Sequence, residues 1–548
     1  MIDSTDHGWW RRAVIYQVYL RSFVDGDGDG VGDIDGLRGR LPYLRDLGVD
    51  AIWINPWYRT PMVDGGYDVA DYRDIDPLFG TLADAEALLV EAHEHGLRVL
   101  VDLVPNHTSD RHAWFQTALS SAPGDPSRAR YWFRPGAGPG GDLPPNDWRS
   151  VFGGPAWTRV TERDGRAGEW YLHLFAPGQP DLKWDNPEVP AEFELILRFW
   201  LDRGVDGFRI DVAHGLLKDP ALPDLGERPS TVATAGHPYW DRDEVPALYT
   251  AWRRVAEDYA DARVFVAEAW IDDPHRLARY LEPGRLHTAF NFDFLFCSWE
   301  PGRLREVIER TLRAHQAVGA PVTWVLSNHD VVRHVTRYGR CETSMREARR
   351  QYGAPVDLEL GTRRARAAAL LMFALPGGAY IYQGEELGLG EVEDLPEHSL
   401  RDPAWERSGH TARGRDGCRV PLPWSGTEAP FCFTAPDIAP WLPQPAAWKS
   451  LTAEAQAGDP YSMWALYRAA LCIRREHPAL GDGELAWDEV VDDVLSFTRQ
   501  PGLRCLTNFG VEPIPLPDHT EVLLASGPLH TRRLLPPDTT AWLSGSQR

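Results

Sequence analysis

Cysteine is scarce in this chain: 6 in 548 residues, and the six (Cys297, Cys341, Cys418, Cys432, Cys472, Cys505) include no CxxC pair. That excludes a zinc ribbon and a dense disulfide framework, so the thiols are expected to be free. Long apolar runs are missing too. No stretch of roughly 18 residues is apolar throughout, and no membrane span is expected. The start, MIDSTDHGWWRRAVIYQVYL, lacks the basic segment and apolar run of a secretory signal. Together these features lead to a reducing cytoplasm as the expected compartment. Positive charge is in deficit: 57 Lys and Arg stand against 80 Asp and Glu, a net charge of −23 at pH 7. Nucleic acids and anionic membranes reward basic patches, so neither is expected as a partner.

What is present suits a large globular chain. Hydrophobic residues make up 43% and charged residues 25%, which excludes a largely disordered protein. The length fits roughly two to four domains, or one large barrel with additions. With 49 Gly and 45 Pro, many turns and long loops are expected rather than a helical rod. Tryptophan is abundant, at 23 residues. Some of that load belongs in a core, and some could line a site where sugar rings stack; composition does not separate the two.

Short apolar runs recur along the chain, most of them followed by helix-like stretches: Val14–Leu20, Asp50–Asn55, Arg98–Leu103, Asp206–Asp211, Val264–Glu268, Thr288–Phe292, Thr323–Leu326 and Ala379–Tyr382. Several are apolar almost throughout, as strands of a parallel sheet covered on both faces should be. Eight such units predict an α/β fold of the closed (β/α)8, or TIM-barrel, type. The third and fourth runs are too far apart for one helix and its loops. The intervening stretch, rich in Gly, Pro and aromatics, reads as an inserted β-rich domain. The expected organisation is a barrel (residues 1–105 and 186–478, with a long loop at 391–449), an inserted domain (106–185) and a C-terminal antiparallel β-sandwich (479–548). An amphipathic helix is expected over Pro460–Arg475.

In a parallel barrel, chemistry sits at the C-terminal ends of the strands. Strand 3 runs out in VDLVPNH, with Asp102, Asn106 and His107. Strand 4 reads VDGFRID, where alternation puts Arg209 and Asp211 on one side. Strand 5 ends at Glu268 in VFVAEAW, and strand 7 at Asn328, His329 and Asp330 in VLSNHD. Buried charge is costly unless paired, so acids at four strand ends are hard to explain as packing. Retaining cleavage of a glycosidic bond needs a carboxylate nucleophile and a carboxylic acid about 5–5.5 Å apart. Crowding raises one pKa, while a neighbouring cation keeps the other group ionised. Arg209 beside Asp211 makes Asp211 the expected nucleophile and Glu268 the expected acid/base.

The segments DLVPNH, GFRIDVAH, FVAEAW and SNHD, in that order, resemble the four signature regions of the α-amylase superfamily, glycoside hydrolase family 13. QPDLKW is similar to its fifth region and GAYIYQGEELGL to its strand-8 segment. The resemblance covers nearly the whole chain and is nearest to the α-glucosidase and oligo-1,6-glucosidase branch. It implies Asp211 as nucleophile, Glu268 as acid/base and Asp330 as the third acid, with Arg209 beside the nucleophile and His107 and His329 gripping the sugar. In GGYDVADY it implies Tyr67 as stacking platform and Asp68 as the acid holding the terminal glucose, partnered by Arg415 of GRDGCRVPLPW. Such a pocket admits only a non-reducing end, so the implied action is exo, on small oligosaccharides.

After strand 1 comes DGDGDGVGD. Asp25, Asp27, Asp29, the Val31 carbonyl and Asp33 fall at alternate positions of a calcium loop, with Gly30 at the sharp turn. Gly36 stands where an EF-hand needs Glu, so an EF-hand is not expected; relatives in this branch carry a similar loop holding structural Ca2+ or Mg2+. No organic cofactor is implied. For linkage, Val after the nucleophile accompanies α-1,6 cleavage in the family. Here Ala213 and His214 follow Val212, and Lys183 replaces the usual Asn of QPDLNW. The expectation is α-1,4 cleavage of maltose and short maltooligosaccharides, with an oligo-1,6-glucosidase as the alternative. A glucosyl-transferring or isomerising relative acting on sucrose or trehalose is the next reading, and a non-catalytic subunit the last. Nothing in the sequence bears on oligomeric state.

Overall fold

The computed structural model describes residues 6–345, 351–529 and 533–544. Among them, eight parallel strands form one sheet: β1 Val14–Val18, β2 Ala51–Ile54, β3 Arg98–Leu103, β4 Gly207–Ile210, β5 Val264–Ala267, β6 Thr288–Ala289, β7 Thr323–Val325 and β8 Gly378–Tyr382. Each pairs with its sequence neighbour, and β8 returns to β1. A parallel bridge between Phe290 and Thr323 joins β6 to β7 and closes the ring. Seven of the eight strands are buried along their whole length, and β3 is buried beyond its first residue, which is why they read as unbroken apolar runs. The TIM barrel expected from the sequence is the observed fold.

Strand 6 is shorter than the Thr288–Phe292 expected from its apolar run. The cause is Asn291, whose side-chain oxygen accepts the Phe294 N–H at 3.0 Å and caps a short helix, Phe292–Phe296. The apolar run therefore continues as helix, not strand.

Helices alternate with the strands. α1 (Leu82–Glu94) opens with a reciprocal capping box between Thr81 and Asp84. α2 (Glu188–Leu201), α3 (Val245–Glu257) and α4 (Pro301–Gln316) lead into β4, β5 and β7. α5 (Leu358–Ala374) is buried from Ala365 to Ala374 except at Arg366, because it is covered on two sides. One side meets the barrel and α6 (Met463–Glu476), through the Phe373–Tyr467 ring contact at 5.4 Å. The other meets a five-stranded antiparallel sheet at the C-terminus, where Trp542 Nε1 and Thr540 Oγ1 donate to the Leu370 and Ala367 carbonyls. The far face of that sheet packs Leu506, Ala541 and Leu543 against Leu535, from a two-stranded ribbon. This gives the antiparallel sandwich expected there.

Between β3 and β4 the chain forms a helix, Ala113–Ser120, and a three-stranded sheet of Phe133–Arg134, Ala167–Leu172 and Trp157–Thr161. Its Trp132, Trp148 and Trp157 pack with Tyr239 and Trp240, from the segment after β4, and with Val212. Much of the tryptophan load is thus core: Trp57, Trp200, Trp252, Trp324 and Trp542 are also fully buried. All six cysteines lie among the described residues and are unpaired. No described helix is long and apolar enough to cross a membrane.

Gly361 in α5 illustrates how closely these layers approach. Gly→Ala inside a helix ordinarily stabilises by about 1 kcal/mol. Here a Cβ would lie 2.1 Å from the Val335 carbonyl oxygen. Gly361→Ala is therefore expected to destabilise by about 1–3 kcal/mol, read as a lower melting temperature in scanning calorimetry; an unchanged or higher value would contradict this packing.

Candidate active site

The C-terminal ends of β3, β4, β5 and β7 converge on one guanidinium. Arg209, on β4, sits directly opposite Asp102 in the β3 register and opposite Val266 of β5. Its Nη1 donates to Asp102 Oδ1 at 2.8 Å and Asp211 Oδ1 at 2.6 Å, and its Nη2 is 3.6 Å from Glu268 Oε2. All four side chains are buried. Burial raises the pKa of both Asp211 and Glu268, and Arg209 opposes the rise in each. The pair is thus set up to share a proton. Direct contact with Arg209 favours the anion on Asp211.

Glu268 is held at both oxygens, by the Val212 N–H at 2.7 Å and by the Trp270 indole N–H. Asp330, after β7, is pushed up by burial, but Arg415, Arg419 and Arg209 around it outweigh that and hold it well below the usual carboxylate range. His329 lies between two rings, stacked on Tyr67 (5.3 Å, 3° between planes) and on Tyr19 (5.8 Å, 18°). Burial keeps it neutral, and the Gln17 amide N–H reaches its Nδ1 at 2.7 Å. Tyr67 donates to Asp102 Oδ2 at 2.9 Å and accepts from Asn55 at 2.7 Å. Asp211, Glu268, Asp330, Arg209, His329 and Tyr67 are therefore brought together as expected.

His107 stands at the edge of this group with both ring nitrogens engaged. Nδ1 meets the Asn106 amide at 3.1 Å, and Nε2 meets the Tyr67 carbonyl at 3.0 Å. Burial lowers its pKa to about 4, so it is neutral. Asn106 is itself tied to a fully buried ion pair, Lys218–Asp181 at 2.7 Å, through Lys218 Nζ at 2.7 Å and Asp181 Oδ2 at 3.1 Å. This pair joins the segment after β4 to the end of the inserted stretch.

The pairing of Asp68 with Arg415 is corrected by the structure. Asp68 is fully buried and turned into its own loop, where its oxygens accept the Val63 and Asp64 N–H groups at 2.9 and 3.0 Å. Arg415 instead bonds Asp64 Oδ1 at 2.6 Å, Asp330 Oδ1 at 2.9 Å and Asp402 Oδ2 at 2.5 Å. Gly65 and Gly66, both at positive φ, turn the chain so that Asp64 faces the site and Asp68 does not. Asp64, Asp402 and Arg419 went unrecognised in the sequence. For Asp64 the signal was present: it is the other acid of the DGGYD segment. Arg419, four residues beyond Arg415, donates to Asp330 Oδ1 and to the His329 carbonyl, each at 2.9 Å.

In the acidic loop after β1, carboxylate oxygens of Asp25, Asp27 and Asp29 lie within 4.8 Å of one another. Asp33 is not part of that trio. It accepts the Gly26, Asp27 and Gly36 N–H groups and caps the helix Ile34–Gly39. Val31 donates its N–H to Asp29 Oδ1 at 2.8 Å.

Residues 17–483 match the family model described as alpha amylase, catalytic domain. The chain belongs to the α-amylase family. Among its relatives in that family, a probable alpha-glucosidase of Rhizobium meliloti is 39% identical over 528 residues, covering 92% of this chain and 90% of that protein. An oligo-1,6-glucosidase of Parageobacillus thermoglucosidasius is 35% identical over 551 residues, covering 93% and 92%. A crystal structure of an alpha-glucosyl transfer enzyme aligns at TM-score 0.84 and 35% identity, covering 98% of this chain and 99% of that one. The resemblance to glycoside hydrolase family 13 read from the motifs therefore holds over the catalytic domain.

Opposite outcomes are expected for the two acids of the DGGYD turn. Asp64→Asn removes an ion-pair partner of Arg415 and is expected to weaken binding of a glucose-like inhibitor by about tenfold or more, with little change in melting temperature. Asp68→Ala strands two N–H groups in a buried turn and is expected to cost about 1–3 kcal/mol of stability. Calorimetry and inhibitor titration of both variants check this, and the reverse pattern would restore Asp68 to the site.

Proposed function

We propose that this protein is a retaining, exo-acting α-glucosidase that releases α-glucose from the non-reducing end of short α-glucosides. The observation that carries the reading is Arg209 in reach of both Asp211 and Glu268, at 2.6 and 3.6 Å, across adjacent strand ends. Asp211 attacks the anomeric carbon while Glu268 gives its proton to the leaving oxygen, leaving a covalent glucosyl–Asp211. Glu268, now ionised, takes a proton from water, which attacks the same carbon and restores the α configuration. Asp330, kept ionised by its arginines, and the neutral His329 offer partners to the sugar hydroxyls, and Tyr67 an apolar face; His107, whose ring nitrogens are held by Asn106 and the Tyr67 carbonyl, would have to exchange one of those bonds to grip the sugar. The Asp64–Arg415 pair stands beside Asp330, to which Arg415 also bonds, where it would hold a terminal glucose; that supports exo action.

For linkage we retain α-1,4, on maltose and short maltooligosaccharides, with α-1,6 as the alternative; the relatives include one named as a maltase and others named as oligo-1,6-glucosidases. A second reading, glucosyl transfer, is supported by the likeness to the alpha-glucosyl transfer enzyme. The two differ only in whether water or a sugar hydroxyl meets the glucosyl–Asp211. Asp211, Glu268 and Asp330 side by side argue against a non-catalytic subunit. The unpaired thiols support a reducing cytoplasm.

Asp211→Asn is expected to lower kcat by about a thousandfold or more. Glu268→Ala is expected to regain turnover of an activated aryl α-glucoside when azide is added, with α-glucosyl azide as product. An Asp211→Asn enzyme keeping more than about a tenth of the wild-type rate would sink the nucleophile assignment.

The trio of Asp25, Asp27 and Asp29 fits a hard divalent cation, Ca2+ or Mg2+, because its donors are all carboxylate oxygens. Burial raises the pKa of Asp27, and repulsion from Asp29 and Asp33 raises it further, a strain that a bound cation relieves. Such an ion would be structural, fastening the loop against Phe433, whose carbonyl accepts the Asp25 N–H at 2.9 Å. Chelation is expected to lower the melting temperature more than it lowers turnover at mild temperature. An unmoved transition after thorough chelation would remove the cation.

A further inference from the structure

Trp270 stands two residues beyond Glu268 and has no part in the chemistry described so far. Its indole N–H donates to Glu268 Oε1 while the Val212 N–H occupies Oε2. The indole lies flat on Phe292, with centroids 3.8 Å apart and 3° between the planes, and Phe296 meets it edge-on at 5.5 Å. Phe292 opens the short helix that Asn291 caps. The N–H is thus aimed by a stacked ring resting on a capped helix, and it cannot swing away from the carboxyl without giving up that contact.

We infer that Trp270 is a positioning residue that fixes the orientation of the acid/base Glu268 and, through its N–H, sets the pH range over which Glu268 carries a proton. The inference deepens the proposed reaction and rests on Glu268 being its acid. A donor aimed at a carboxylate favours the ionised form, and more strongly where water is excluded. The charged groups facing Glu268 pull both ways. Arg209 favours its anion, whereas Asp330 and Asp211 disfavour it, and Asp102 draws on the same guanidinium. The one charged residue of the Phe292–Phe296 helix, Asp293, pairs with Arg310. Burial pushes Glu268 up, and the indole N–H opposes that rise.

The test is kcat/KM against pH on two substrates, phenyl α-glucoside, whose leaving group needs a proton, and 2,4-dinitrophenyl α-glucoside, whose leaving group does not. Without the donor, protonated Glu268 persists to higher pH. Trp270→Phe keeps the stacking ring, and it is expected to move the alkaline limb for the phenyl glucoside up by about one unit. It should also cost about tenfold on that substrate and clearly less on the activated one. An alkaline limb that stays in place, or equal losses on both substrates, overturns the inference. Should Trp270→Phe fail to fold, Phe292→Leu leaves the donor on a loosened ring; a smaller upward movement is expected there, and none would overturn the inference equally. Glu268→Gln, run alongside, separates the two layers. If it keeps its rate on phenyl α-glucoside, the acid/base reading fails whatever Trp270 does; if it is dead while the Trp270→Phe limb is unmoved, only the role of Trp270 fails.

Discussion

A guanidinium buried among three carboxylates is costly to build, and Arg209 is placed so that the cost is met in full. Taking an arginine out of water costs several kcal/mol unless it is paired, and the same holds for each acid. Asp102 and Asp211 each take a short bond from one Nη of Arg209, and Glu268 lies near the other. None of the three acids could be buried there as an anion without it. Asp102, held also by Trp53 and Tyr67, takes no direct part in the proposed chemistry. It anchors Arg209, so that Arg209 is left aimed at the two groups that react.

The barrel makes this arrangement possible because neighbouring parallel strands present their C-terminal ends side by side. Register sets Asp102 against Arg209, and the chain then carries Asp211 and Glu268 to the same rim. The inserted stretch and the loop after β8 complete the site from outside the barrel. Asp181 ties to Lys218 and Asn106, which fixes the neighbourhood of His107. Arg415 spans Asp64, Asp330 and Asp402, linking the loop after β2, the end of β7 and the β8 loop. Each link is charge-assisted and at least partly buried, so the geometry is set before a ligand arrives.

Much of this was legible in the sequence, for identifiable reasons. Strands covered on both faces read as apolar runs, and a polar residue at the end of such a run is conspicuous, which is how Asp211, Glu268 and Asp330 were found. The parts that escaped depend on details that composition does not carry. Asp64 and Asp68 flank the same glycines and tyrosine, and only the left-handed turns at Gly65 and Gly66 decide which one faces Arg415. Lys218 follows two leucines with no motif around it, and its pairing with Asp181 across the fold has no local signature. The end of β6 was misjudged because an apolar run serves a buried strand and a buried helix equally well, and the Asn291 cap selects the helix.

The central claim is double displacement through Asp211, and the anomer first released tests it most directly. Proton NMR of maltose turnover, recorded before mutarotation, is predicted to show α-glucose from the non-reducing end as the initial product. Initial release of β-glucose would mean a single displacement and would contradict the account.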